Sequence, residues 1–188
     1  MQSTLKTKRW TINEYHQMID AGILADQRVE LLRGEIIEMV PEREPHAEQS
    51  QDADRYLARI LDGVARVRQA KLITLPDNSE PEPDISISQN LGREYRQHHP
   101  YPENIYWLME YSHSSLQRDL RDLNEKLKIY AAAGIREYWV VDIERLRLIV
   151  HREPVGEEYQ LVREYTDGVI CAEAFPEIAI EVLKIINP

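Results

Sequence analysis

The sequence predicts one α/β domain over residues 1–188, with a mixed central β-sheet flanked by α-helices and a β-rich C-terminal third; three observations predict it. Helix-period and strand-period segments alternate along the whole chain. The run Ile105-Tyr106-Trp107-Leu108-Met109 has the near-continuous apolarity of a strand buried on both faces. From Tyr138 onward almost every patterned segment is strand-like. No repeat, low-complexity tract or linker interrupts the pattern, and 188 residues suit one core.

Thr11-Ile12-Asn13-Glu14 has the spacing of a capping box, so a first helix is expected from about Ile12 to Ala21, ended by Gly22. Residues 29–39 read as two short strands around a turn at Arg33-Gly34. From His46 to about Val64, the positions of Tyr56, Leu57, Ile60, Leu61 and Val64 predict an amphipathic helix, on which Arg55 and Arg59, four apart, either face a phosphate or, the favoured reading, lie on its solvated surface. Residues 67–75 read as a strand and Asp77-Asn78-Ser79 as a turn. Pro83-Asp84 then leads into the alternating strand Ile85-Ser86-Ile87-Ser88.

A polar loop, which includes His98 and His99, is expected to connect this strand to the buried one that ends at Glu110. Ser112 to Ser115 are helix N-cap residues, and Leu116, Leu120, Leu123, Leu127 and Tyr130 then step by three and four as far as Gly134. Tyr138 to Val141 and Leu146 to Val150 read as a strand pair. Tyr159 to Tyr165 is expected to pair with Val169 to Cys171 across Asp167-Gly168.

Composition narrows the function. At 43% hydrophobic and 30% charged residues the chain is an ordinary globular one rather than a disordered one. The single Cys171 rules out an internal disulfide, and the first residues lack a signal-peptide pattern, so a reducing cytoplasm is the expected location. No apolar run approaches the ~20 residues of a membrane span, so no membrane partner is expected. A net charge of -10 argues against a non-specific nucleic-acid coat protein. It leaves room for a nuclease, because carboxylates that load a divalent cation reverse their own local sign.

Asp84 at a strand start and Glu110 at the end of a buried strand converge if the two strands are neighbours. Two carboxylates suit Mg²⁺, which prefers oxygen ligands and keeps several waters, and a backbone carbonyl near Tyr111 offers one further ligand. Phosphodiester hydrolysis also needs a cation beside the attacking water. On an ideal helix Lys126 lies about 80° from the centre of the apolar stripe and Lys128 about 120° away. Lys126 therefore flanks the buried face, with Lys128 as the solvent-facing runner-up. Acids at strand ends and lysines beside apolar stripes are also common without any function.

Four blocks together carry a specific resemblance: Val29 to Glu35 followed by His46; Pro83-Asp84; Glu110 with Ser112 and Ser114-Ser115-Leu116; and Lys126 to Tyr130 with Gly134-Ile135 and Glu137-Tyr138-Trp139. Over nearly its whole length the chain resembles the Uma family of restriction endonucleases, a branch of the PD-(D/E)XK nuclease superfamily. The resemblance implies a restriction-endonuclease-like fold, with Asp84 and Glu110 as ligands of Mg²⁺ or Mn²⁺ and as catalytic acids, nucleic acid, above all DNA, as substrate, and Lys126 positioning the attacking water.

The superfamily pattern has lysine two residues beyond the second acid, where this chain has Ser112; the resemblance implies a lysine moved to the following helix, which matches Lys126. Glu30 and Glu35 match the first block as auxiliary acids, although a solvated hairpin glutamate is an equal reading; Glu35 ranks behind Glu30 because it follows the turn glycine. His46 matches too, but its place at a helix start also suits local hydrogen bonding. Ser112 and Ser114 either orient a phosphate or cap the helix. Two functions follow: a Mg²⁺-dependent endonuclease, with homodimerisation matching a two-fold substrate, or a nuclease-fold binding or assembly module without turnover.

Overall fold

The computed structural model describes residues 6–39, 44–113 and 117–188, leaving out the side chains of 44–46 and 117–121. Ser114 and the side chain of His46 therefore lie outside the described residues. Helix α1 (Ile12–Asp20) starts at Thr11, which accepts from the Glu14 backbone N–H while the Glu14 carboxylate accepts from the Thr11 N–H. It is followed by the hairpin of β1 (Val29–Leu32) and β2 (Glu35–Glu38), which forms a two-stranded sheet of its own.

At the tip of that hairpin Arg33 and Gly34 both have positive φ, 50° and 76°, as a two-residue turn matched to strand twist requires. Gly34 is further constrained by its neighbours: its carbonyl accepts from Trp10 N–H at 2.8 Å, and a Cβ on it would stand 2.8 Å from the Trp10 carbonyl oxygen. Gly34→Ala is therefore expected to lower stability by roughly 1–2 kcal/mol for the left-handed conformation alone, before the contact with Trp10 is counted. Urea unfolding checks this: the midpoint should fall with the slope unchanged, and an unchanged midpoint would contradict it.

Helix α2 (Glu44–Ile60) leads to β3 (Arg66–Gln69) and β4 (Ile85–Ser88). Two short 3₁₀ turns, Gly92–Arg96 and Pro102–Asn104, precede β5 (Ile105–Ser112). Helix α3 (Gln117–Ala132) then crosses over to β6 (Glu137–Asp142), followed by β7 (Arg147–Val155), β8 (Glu158–Tyr165), β9 (Val169–Ile170), β10 (Ile180–Glu181) and α4 (Leu183–Ile186). The six-stranded sheet runs β3-β4-β5-β6-β7-β8. Among the described strands only β5 and β6 pair in parallel, and a helix links them.

The sheet is mixed and covered on both faces. On one face Ile85, Ile87, Trp107, Met109, Trp139, Val141, Leu148 and Val150 pack with Leu57 of α2, with Leu61 just after it, and with Ile185 and Ile186 of α4. On the other, Leu108, Tyr138 and Val140 pack with Ile129, Tyr130 and Ala131 of α3 and with Leu32, Ile73 and Leu75. β5 and β6 lie between these two cores, and nearly all of their residues are buried. At the start of β6, buried Glu137 accepts from Arg152 Nη2 at 2.6 Å, from Trp139 Nε1 at 2.7 Å and from the Glu173 N–H at 2.7 Å. That pairing and hydrogen bonding offset the cost of burying its charge. Among the described residues no helix is long and apolar enough to cross a membrane.

Three local expectations need correction. The strand expected over 67–75 stops at Gln69, because Ala70 takes φ 45°; residues 73–75 instead bond irregularly to Pro81, Pro100 and Ser79, burying Ile73 and Leu75. The strand expected to end at Glu110 continues to Ser112, carried by its ladder with β6. β8 pairs with β7 across Gly156-Glu157, and β9 pairs with β10 rather than with β8. Asp167-Gly168 has strong turn chemistry, but burial of Ile170 beside Ile180 in the core overrides it.

Candidate active site

On the α3 side of the sheet, the β4–β5 register determines which acids meet. Ile85 opposes Met109 and Ser86 opposes Leu108. One step further along, the same antiparallel register sets Asp84 opposite Glu110. Asp84 also closes the ladder at this point, its carboxylate accepting from the Tyr111 N–H at 2.6 Å while its carbonyl accepts from the Ala70 N–H at 3.0 Å. Strand alternation turns Tyr111 into the α2-side core and leaves Glu110 on the α3 side, where it is only 5% exposed.

Lys126 reaches Glu110 from α3. It is 4% exposed, and its ammonium donates to Glu110 Oε1 at 3.2 Å while standing 3.5 Å from Glu30 Oε2. Glu30, on β1 and 2% exposed, also accepts from the Glu82 N–H at 3.1 Å. The Tyr130 hydroxyl, one turn beyond Lys126, donates to the same Glu110 oxygen at 3.0 Å. The separate hairpin sheet, the centre of the main sheet and the crossover helix thus converge on one buried ammonium.

Burial pushes the Glu110 carboxyl up to about 8; the Lys126 ammonium works against this rise, and Asp84, Glu30 and Asp122 add to it. Burial likewise raises Glu30, opposed by Lys126. For Lys126 burial disfavours the charge, but Glu110, Glu30, Asp122 and Asp84 outweigh it and hold the ammonium well above its ordinary range. Burial and the neighbouring acids therefore favour the protonated form of Glu110, the Lys126 ammonium favours the carboxylate, and the lysine itself is held charged. That carboxyl is ready to ionise when a further positive charge arrives.

The remaining candidates lie around this cluster or away from it. Ser112 is buried on the Glu110 face, and its hydroxyl has no hydrogen-bond partner among the described residues. Glu35 is exposed on the outer strand of the hairpin, 2.7 Å from Arg9 Nη1, and is not brought to the cluster. Lys128 is also outside it, donating to Glu125 at 3.0 Å on the solvent side of α3.

Three side chains that the sequence reading did not assign to the site belong to its surroundings. In the sequence Tyr130 is one member of the apolar stripe of α3. Exposed Asp122 acts on Glu30, Glu110 and Lys126. Tyr138 feels both Glu110 and Asp84, and its buried hydroxyl has no partner among the described residues. The signal for the first two was the 122, 126, 130 spacing, which puts all three on one stripe of α3.

A family profile described as "Uma2: Putative restriction endonuclease" matches residues 12–183. No curated protein matches the chain. A similar solved structure is a crystal structure titled as a putative nuclease belonging to DUF820 from Anabaena variabilis ATCC 29413. It is 15% identical, covers 94% of this chain and 97% of its own, and superposes with a TM-score of 0.73, a likeness of fold.

Proposed function

Since the chain belongs to the Uma2 family, described as putative restriction endonucleases, we propose that it is a metal-dependent endonuclease hydrolysing phosphodiester bonds, with DNA as its first substrate. The observation that carries this reading is the buried Lys126 ammonium bonded to Glu110, the residue across the β4–β5 register from Asp84. An apolar core has no need of such a group. A reaction that gathers negative charge on phosphorus oxygens does.

Asp84 and Glu110 fit a hard divalent cation, Mg²⁺ or Mn²⁺. Among the described residues no third acid, histidine or cysteine joins them in a metal-binding group, so the rest of the shell falls to water, substrate oxygen and a backbone carbonyl near Tyr111. The raised Glu110 carboxyl supports the fit, since a cation would favour the carboxylate form that burial disfavours. Such an ion polarises a phosphoryl oxygen and makes bound water more acidic. Lys126 positions the attacking water and offsets the charge that builds in the transition state. Tyr130 orients the carboxyl of Glu110, and Glu30 keeps the ammonium charged. Homodimerisation would present two such sites to the strands of a duplex.

The test is cleavage of supercoiled plasmid, linear duplex and RNA by the purified chain with Mg²⁺ or Mn²⁺, using a chelator as control. Nicking that needs the cation is expected. Inactivity on every substrate would overturn the reading and favour a nuclease-fold binding module, for which the Lys126 bond that already occupies Glu110 is the supporting observation. Mn²⁺ calorimetry separates the two, since a module of that kind takes up no ion at millimolar concentration.

A further inference from the structure

The net charge of -10 conceals a cationic patch at one edge of the sheet. β3 is the outermost strand, and its alternation packs Val67 against the α2-side core and turns Arg66 and Arg68 to the opposite face. That is the face of Glu110. The register sets Arg68 beside Ser86 and Arg66 beside Ser88. The next position on the same face of β4 after Ser86 is Asp84, about 6.6–6.8 Å along the strand.

Arg68 differs from the other arginines near carboxylates. Arg33 bonds Glu157, Arg55 bonds Asp52, Arg147 bonds Asp142 and Glu164, and Arg152 bonds Glu137. Arg68 is half-buried, yet among the described residues its Nη1 has no hydrogen-bond partner, and a second cation, Arg66, acts on it. Beside it the fully buried Ser86 hydroxyl is also without a partner among the described residues. Leaving a guanidinium and a hydroxyl unsatisfied together costs stability unless a ligand completes them.

Among the described residues the two guanidinium groups are held by packing on an aromatic ring, and Arg66 also by an Nη1 bond to the Gly92 carbonyl at 3.4 Å, rather than by ion pairs. Cζ of Arg68 lies 5.1 Å and Cζ of Arg66 5.8 Å from the Tyr95 ring centroid, and Tyr95 is itself anchored by its hydroxyl, which donates to the Gln89 carbonyl at 2.9 Å. Packing on a ring leaves a guanidinium's N–H edge free to take a phosphate in two parallel bonds. Exposed Arg93 and Arg96, on the same 3₁₀ turn as Tyr95, add positive charge nearby.

We propose that Arg68, with Ser86 and Arg66, forms a phosphate-binding subsite for the backbone of the nucleic-acid substrate, one same-face step from the Asp84–Glu110 rung. A row of two guanidiniums spaced along a strand fits successive phosphates of one chain better than a single small anion. Arg68 takes the inner phosphate, with Ser86 as its neutral donor, and exposed Arg66 takes the outer one. The inference rests on the endonuclease reading for its substrate but not for its residues.

The test is fluorescence anisotropy of labelled short DNA duplex and RNA strand, in chelator, over a series of salt concentrations, with the wild-type chain, Arg68→Ala, Arg68→Gln and Arg163→Ala. Arg163 is exposed on β8, at the opposite edge of the sheet, and serves as the control. Loss of one phosphate contact should lower the slope of log affinity against log salt by roughly 0.9 for both Arg68 variants on duplex, with no change for Arg163→Ala. Circular dichroism confirms that each variant is folded, and the glutamine variant keeps a hydrogen-bonding side chain should alanine disturb the strand.

Equal slopes for wild type and folded Arg68 variants would overturn the subsite, as would absence of any wild-type binding. Metal uptake and cleavage by the wild-type chain, measured separately, decide the nuclease reading. A slope change at Arg68 in a chain that never cleaves would leave the subsite standing and remove the nuclease. Preference for duplex or single strand in the same titrations identifies which backbone is bound.

Discussion

Lys126→Met is expected to lower folding stability by roughly 3–5 kcal/mol, since removing one partner of a buried ion pair leaves the other charge uncompensated. The loss should fall at the lower end of that range at neutral pH, because Glu110 then simply keeps its proton and Glu30 becomes the main uncompensated group. Cleavage should fall about 10²–10³-fold, the effect of removing one group aimed at developing charge. Urea unfolding separates the two losses when Lys126→Met is compared with Lys126→Met/Glu30→Gln. The double variant should regain part of the stability, because it carries one fewer buried acid, and none of the activity. Unchanged stability in the single variant would mean that the ammonium does not sit between Glu110 and Glu30 in solution.

The parts of this arrangement that sequence could reveal are those set by local pattern. Alternation in Ile85 to Ser88 puts Asp84 at a strand start, the apolar run before Glu110 marks a buried strand, and the 3.6-residue period puts Lys126 beside the core. The meeting of Asp84 with Glu110 is of another kind. It depends on β4 and β5 being neighbours in one particular register, a non-local fact that no segment carries by itself. Glu30 is harder still to read, because it reaches Lys126 from a hairpin outside the main sheet.

Two further features were hidden for chemical reasons. Tyr130 fits an apolar stripe equally well whether its hydroxyl is idle or bonded to Glu110, since tyrosine combines an apolar body with a polar tip. Arg68 looks like any charged residue of an edge strand until it is known that, among the described residues, no carboxylate pairs with it. The mistaken pairing of Tyr159–Tyr165 with the segment after Asp167-Gly168 shows the opposite fault, in which a strong local turn signal yields to core burial further along the chain.

Metal uptake should depend steeply on pH, with a sign fixed by Glu110. Its carboxyl is pushed up to about 8, so below that pH a cation must displace a proton before Glu110 can serve as a ligand. Apparent Mn²⁺ affinity should therefore rise about tenfold per pH unit as pH approaches 8 from below, and level off above it, with release of roughly one proton per ion at the acid end. Calorimetry in buffers of different ionisation enthalpy measures that proton directly. The metal-free chain should show the matching trend in folding. A carboxyl raised from 4.5 in the unfolded chain to about 8 in the folded one contributes stability that is complete below pH 4.5 and is lost as pH rises through 8. Glu110→Gln should flatten both profiles, weakening Mn²⁺ uptake at every pH while removing the alkaline loss of stability. Uptake that is independent of pH between 6 and 9 would place the ion away from Glu110 and leave Asp84 to hold it with other ligands.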